Sequence, residues 1–131
     1  MDRRSFLAGL AATLPFAASA ATDYTPGLVK KHLDAGDVVF LDFKASWCST
    51  CAAQERVIKA LKAENPNYDA KITFIDVDWD AYGKSDLVKN LNIPRRSTLV
   101  ALKGNKELGR IVAQTSTKSI KALMDTALAA G

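Results

Sequence analysis

Cysteine is scarce in this chain. Only Cys48 and Cys51 occur among its 131 residues, so at most one internal disulfide can form and a cysteine-stapled scaffold is excluded. Histidine is scarcer still, with His32 alone. Two thiols and one imidazole do not make a convincing tetrahedral zinc site within one subunit, and His32 falls on a different helix from the cysteines. Basic residues never run longer than two, so the formal net charge of +4 is scattered and leaves no nucleic-acid footprint. Nor does any apolar run reach the roughly 20 residues needed to span a bilayer. What remains is 48% apolar and 24% charged, the composition of a globular protein. Wholesale disorder, collagen and coiled coil are excluded, and the length suits one domain.

The first twenty residues read as an address. Arg3-Arg4 precede an apolar run, Phe6–Ala17, and Ala18-Ser19-Ala20 offers the small-x-small pattern at which signal peptides are cut. Arg3-Arg4-Ser5-Phe6-Leu7 resembles the twin-arginine export signal, which serves proteins that cross a membrane already folded. The expectation is a signal peptide over residues 1–20, cleavage after Ala20, a periplasmic protein, and one domain over residues 21–131.

Beyond it the pattern alternates helix and strand. Thr25-Pro26 is expected to open a helix that Gly36 closes. Val38–Phe43 is an apolar, β-rich run broken only by Asp42, as befits a central strand. A helix is expected over Ala52–Glu64, a strand over Ile72–Val77, a short helix over Ser85–Leu91, and strands over Ser97–Leu102 and Leu108–Ala113 joined by Gly104-Asn105. The last helix, Thr117–Ala129, carries Ile120, Leu123, Met124, Ala127 and Leu128 on one face.

Cys48-Ser49-Thr50-Cys51 follows the central strand and opens a helix. Three chemistries compete for it. A structural staple gains little, because so short a loop removes little unfolded-state entropy. A metal site lacks ligands in one subunit, although two subunits could pool four thiolates. A redox dithiol is favoured by position. The first cysteine faces the unpaired N–H groups and positive end of the helix, which stabilise the attacking thiolate. The second lies one turn along, able to attack a mixed disulfide. Ser49 and Thr50 can add hydroxyl donors. Asp42 is unusual as a carboxylate inside an apolar strand. If it is buried without a cation, its pKa rises toward neutrality, a useful value for a proton carrier; at a frayed strand end it would merely be solvated.

Trp47-Cys48-Ser49-Thr50-Cys51 after a strand resembles the active site of the thioredoxin family, and the resemblance covers nearly all the chain beyond the export segment. It implies the thioredoxin fold: a single α/β domain with a central mixed β-sheet flanked by helices. It also implies dithiol–disulfide exchange with protein substrates, without a cofactor. In that pattern Cys48 is the exposed nucleophile, Cys51 the buried resolving thiol and Asp42 the buried acid beneath them. Trp47 is then a lid over the disulfide. A periplasmic member needs a membrane-embedded electron donor or acceptor. The alternative is a thioredoxin-fold metal-binding or scaffold module whose cysteines ligate.

Several positions depart from the family pattern. Ser49-Thr50 stand where thioredoxins carry Gly-Pro, which leaves the direction of electron flow open. Asp76 falls where the family places a lysine near the buried acid, so either two carboxylates share the site or Asp76 lies on a solvated face. Counting back from Gly104-Asn105 puts Ser97 where the family has a cis-proline facing the disulfide. The substrate loop would then comprise Arg96, Ser97 and Thr98. A cis bond before a residue other than proline costs about 2.5–4 kcal/mol, so the Arg96–Ser97 bond is expected to be trans, leaving the dithiol open to a metal shared by two subunits. Arg95-Arg96 could favour acidic partners or stabilise a thiolate. Asp76-Val77-Asp78-Trp79-Asp80 lacks the glycine and distal acid of a calcium loop and is rejected as one. His32 is expected to be a packing or surface residue.

Overall fold

A computed structural model describes residues 20–131. The twin-arginine segment and the expected signal lie almost wholly outside the described residues. Five strands form one mixed sheet in the order β1-β3-β2-β4-β5: β1 Thr22–Asp23, β2 Val38–Lys44, β3 Ile72–Asp78, β4 Thr98–Lys103 and β5 Lys106–Val112. The helices are α1 Leu28–Asp34, α2 Ser49–Glu64, α3 Asn67–Lys71, α4 Trp79–Tyr82, α5 Asp86–Leu91 and α6 Thr117–Ala130.

β2 is the central strand. It runs parallel to β3, with Asp42 opposite Asp76, and antiparallel to β4, with Asp42 opposite Leu99. Its apolar run is explained by cover on both faces. Alternate residues of a strand point to opposite faces. Val38 and Phe40 join Leu99, Ile120 and Met124 in one core layer, under α2 and α6. Val39, Leu41 and Phe43 join Ile75, Val77 and Val100 in the other. Asp42 keeps step with Val38 and Phe40, so its carboxylate lies on the face that α2 covers.

The expected helix start at Thr25-Pro26 is corrected. These residues form a turn in which the Leu28 N–H donates to the Thr25 carbonyl at 3.0 Å. Gly27, with φ 89° and ψ −13°, caps α1 without a side-chain bond. Proline followed by a left-handed glycine is the signature of a type II turn, and that conformation cannot continue into a helix from Thr25. The helix does end before Gly36, which takes φ 88°. α6 buries Ile120, Leu123, Met124 and Ala127, the stripe its periodicity predicts. Unpredicted are β1, α3 and α4, which are too short to show a hydrophobic period.

Candidate active site

β2 delivers the chain to the start of α2, where Cys48 is the N-cap residue, with φ −94° and ψ 109°. Its sulfur accepts the Cys51 N–H at 3.1 Å, so a cysteine takes the place of the usual hydroxyl or carboxylate cap. Cys48 and Cys51 form a disulfide, their Cα atoms 5.2 Å apart. The expectation of an exposed Cys48 is corrected: it is 4% exposed and Cys51 1%. Ala45 clusters with both cysteines, and Trp79, not Trp47, packs against them. Trp47 is therefore no lid. It is 57% exposed, held outward by hydrogen bonds from its Nε1 to both oxygens of Asp80 at 3.0 Å.

Ser97 lies where the count from the β4–β5 turn placed it. It is fully buried, with Oγ 3.2 Å from Cys48 Sγ and 3.1 Å from Cys51 Sγ. No described peptide bond is cis, so Arg96–Ser97 is trans. Ser97 instead adopts φ 64°, a left-handed conformation that costs an L-residue roughly 1–2 kcal/mol. Its surroundings hold it there. The Ser97 N–H donates to the Phe43 carbonyl at 2.7 Å, and the Ala113 N–H donates to the Ser97 carbonyl at 2.8 Å. Gln54 Nε2 adds a bond to the same carbonyl and another to that of Gln114, each at 3.0 Å.

The two residues flanking Ser97 differ in placement. Thr98 is fully buried and its hydroxyl donates to the Arg95 carbonyl at 2.7 Å. It braces the loop from within and offers nothing to a substrate, because β4 begins there and turns its side chain into the protein. The Arg96 guanidinium sits 4.8 Å from the Trp47 ring, a cation–π contact that places its charge on the rim beside the disulfide.

Asp42 is 5% exposed, and its Oδ1 has no hydrogen-bond partner. Burial raises its pKa to about 7, assisted by the negative charge of Asp76 and opposed by Lys44. A cation is thus nearby, and burial outweighs it. Lys44 Nζ bonds Glu55 Oε1 at 2.7 Å and lies 3.7 Å from Asp76 Oδ2. Burial works against the Lys44 charge, but the Glu55 bond and the carboxylates Asp76 and Asp42 outweigh it and raise its pKa. The Lys44 bond lowers Glu55. Asp76 is raised, by burial first, with Lys44 opposing. The two carboxylates do share a site, and it is Asp42 whose pKa climbs furthest.

Two clefts flank this charged group. One, of about 650 Å³, opens beside Cys48 and Cys51 and is lined by Lys44, Glu55, Asp76 and Asp80 among others. The second, of about 350 Å³, reaches Asp42 past Glu55, Lys59 and Asp76. Among the described residues, no three His, Cys, Asp or Glu side chains group to hold a metal ion. His32 bonds Asp37 at 2.8 Å at the end of α1, away from this chemistry. Asp78 caps α4 through a bond from the Asp80 N–H.

Gln54, Lys44, Glu55 and Trp79 were not singled out from the sequence. Gln54 carried a usable signal, since it falls on the same face of α2 as Ile58 and Leu61, where a polar residue needs buried partners.

The sequence model of the Thioredoxin family matches residues 21–126. A thioredoxin of Oryza sativa subsp. japonica is 30% identical over 81 residues, covering 62% of this chain and 54% of that protein. Thioredoxin-1 of Drosophila melanogaster is 29% identical over 80 residues, covering 60% of this chain and 70% of that protein. The chain spans about half the length of the first of these relatives. Among solved structures, Trxlp from Edwardsiella tarda superimposes with a TM-score of 0.68 at 22% identity, over 79% of this chain and 98% of that one. The Schistosoma mansoni thioredoxin pre-protein gives 0.64 at 22% identity, over 82% and 97%. At these identities the likeness is one of fold, and that fold is the thioredoxin fold.

Proposed function

The chain belongs to the thioredoxin family, and we propose that it is a periplasmic thiol–disulfide oxidoreductase that exchanges its Cys48–Cys51 pair with protein substrates through a mixed disulfide at Cys48. The observation that carries this reading is the disulfide at the start of α2, where Cys48 caps the helix and its sulfur already accepts a backbone N–H. Such a sulfur is stabilised as a thiolate, which makes it both a good nucleophile and a good leaving group. Cys51, one turn inside, resolves the mixed disulfide. Asp42 acts from the sheet face beneath α2 as the base for the Cys51 thiol, with a pKa near neutrality that suits proton transfer in either direction. Trp47 and Arg96 form the rim against which substrate docks, while Ser97 is buried against the two sulfurs. Ala18-Ser19-Ala20 and Arg3-Arg4 support export and cleavage after Ala20. A membrane-embedded donor or acceptor then sets the direction of electron flow.

One experiment tests these elements together. The full chain carrying Cys51→Ser is expressed in a bacterial host, and the periplasmic fraction is alkylated and resolved without reductant. Mixed disulfides with other proteins are expected, absent when Cys48→Ser is added, on a chain whose mass begins at Ala21. A chain retained outside the periplasm would overturn the location, and a periplasmic chain without adducts would overturn the exchange.

A further inference from the structure

One hydroxyl reaches both sulfurs of the disulfide. Ser97 Oγ is 3.2 Å from Cys48 Sγ and 3.1 Å from Cys51 Sγ. In a disulfide neither sulfur carries a proton, so the hydroxyl is the donor. The remaining polar groups of Ser97 are already engaged: the N–H with Phe43 O, and the carbonyl with the Ala113 N–H and Gln54 Nε2. Those bonds anchor the main chain at φ 64°, and from the observed Oγ position the hydroxyl hydrogen reaches either sulfur by turning about the Cβ–Oγ bond. The residue is fully buried, which strengthens a hydrogen bond to a charge.

We propose that Ser97 is a catalytic residue of the exchange, its O–H donating to whichever sulfur carries the negative charge at each stage. This rests on the exchange reading above. A substrate thiolate attacks Cys48 Sγ, and a bond forms between the substrate sulfur and Cys48. The Cys48–Cys51 bond breaks with its electron pair left on Cys51 Sγ, where Ser97 receives the charge. The second substrate thiolate then attacks the substrate sulfur of the mixed disulfide. The substrate disulfide forms, and the electron pair leaves on Cys48 Sγ, to which the hydroxyl hydrogen turns. Two substrate thiols are oxidised and the protein disulfide is reduced. The two protons the substrate loses match those taken up when Cys48 and Cys51 are both protonated. The opposite direction runs through the same steps reversed. Cys48 has a second donor, the Cys51 N–H at 3.1 Å, so Ser97 adds to a stabilised Cys48 thiolate and supplies Cys51 with a donor of its own.

The test compares Ser97→Ala with Ser97→Gly. Both lack the hydroxyl, but glycine takes a positive φ without strain, so an effect of backbone strain would separate them. Thiol pKa values are read from thiolate absorbance at 240 nm in proteins with a single cysteine, carrying Cys51→Ser or Cys48→Ser. The two-cysteine proteins are equilibrated with glutathione. Loss of a hydrogen bond to a charged sulfur is expected to raise the Cys48 pKa by about one unit in both variants. The equilibrium should move about tenfold toward the disulfide, or about 30 mV. Native values in both variants, or a shift in the alanine variant alone, would overturn the proposal. If Cys51 proved the more acidic thiol and both variants raised it, the hydroxyl would stand and the assignment of Cys48 as nucleophile would fall. Failure of the native protein to exchange disulfides would overturn the exchange reading alone.

Discussion

On the β4 flank of the disulfide, Ser97 is fully buried and has its N–H, carbonyl and hydroxyl all engaged by neighbours. On the β2–β3 flank, Asp42 keeps an oxygen without any partner, and Asp76, Lys44 and Glu55 crowd around it beside open clefts. The first flank is geometrically determined and the second electrostatically tuned. A buried neutral group that is fully bonded rigidifies its site, whereas a buried carboxylate lacking bonds shifts its pKa instead. Fixed geometry suits the sulfurs, which must stay near their donor, and a group poised between protonation states suits proton transfer.

Asp42→Asn tests the tuned flank and should have the largest effect. Resolution of the mixed disulfide by Cys51 should slow on the order of a hundredfold, the lower range for loss of a general base, while attack at Cys48 changes little. Stability should respond in a defined pH window. The folded pKa of Asp42, about 7, exceeds the unfolded value of 3.8. The contribution of this group is therefore fully present below about pH 4 and is lost as pH rises through 7. Asparagine removes that loss, so the variant should gain on the native protein between pH 4 and 7, by up to about 4 kcal/mol, and hold the gain above. Denaturant melts across that range measure it. Equal slowing of both steps, or a native-like pH slope in the variant, would make Asp42 structural.

The sequence already carried the outline of both flanks, for different reasons. The β2–α2 junction is local: an apolar run, then a cysteine pair at a helix start. Asp42 was visible because a carboxylate stands out in an apolar run that is covered on both faces of β2. Ser97 was reached by counting back along β4 from a tight turn, since a hairpin fixes register. Lys44 and Glu55 were not legible, because their pairing joins a strand end to a helix across a gap in sequence that no period reveals. Trp79 displaced Trp47 from the disulfide for a similar reason: which of two tryptophans packs on the sulfurs depends on where β3 ends in space. Thr98 was grouped with the substrate loop because it follows Ser97, but it is the first residue of β4 and its side chain is fully buried.

Gln54→Ala tests the determined flank. Gln54 is fully buried, and its amide nitrogen bridges the Ser97 and Gln114 carbonyls. Those two acceptors dictate that the nitrogen, not the oxygen, faces them. Its removal should cost about 1–3 kcal/mol, read as a lower denaturant midpoint with an unchanged slope. Gln54→Glu keeps the shape but sets an acceptor against two acceptors, so it should lose more than alanine at neutral pH. A glutamate variant as stable as native would show that the bridge does not brace Ser97, and the contrast between the flanks would lose its structural half.

Trp47→Phe probes the rim, where both flanks meet solvent, and should have the smallest effect. The Nε1–Asp80 bonds are exposed, so water replaces them at little cost, and stability should change by less than about 0.5 kcal/mol. Phenylalanine keeps a ring for the Arg96 guanidinium, now 4.8 Å away, although its weaker π face holds a cation less well. The thiol pKa values should stay at their native positions, because it is Trp79 that packs on the cysteines. Exchange with a small disulfide should be unchanged, and exchange with a protein substrate should fall slightly if the indole forms part of the docking rim. Thiolate absorbance and paired rate measurements with the two substrate types check this. A shifted Cys48 pKa in this variant would mean that the rim reaches the sulfurs electrostatically, and the division into one fixed and one tuned flank would need a third member.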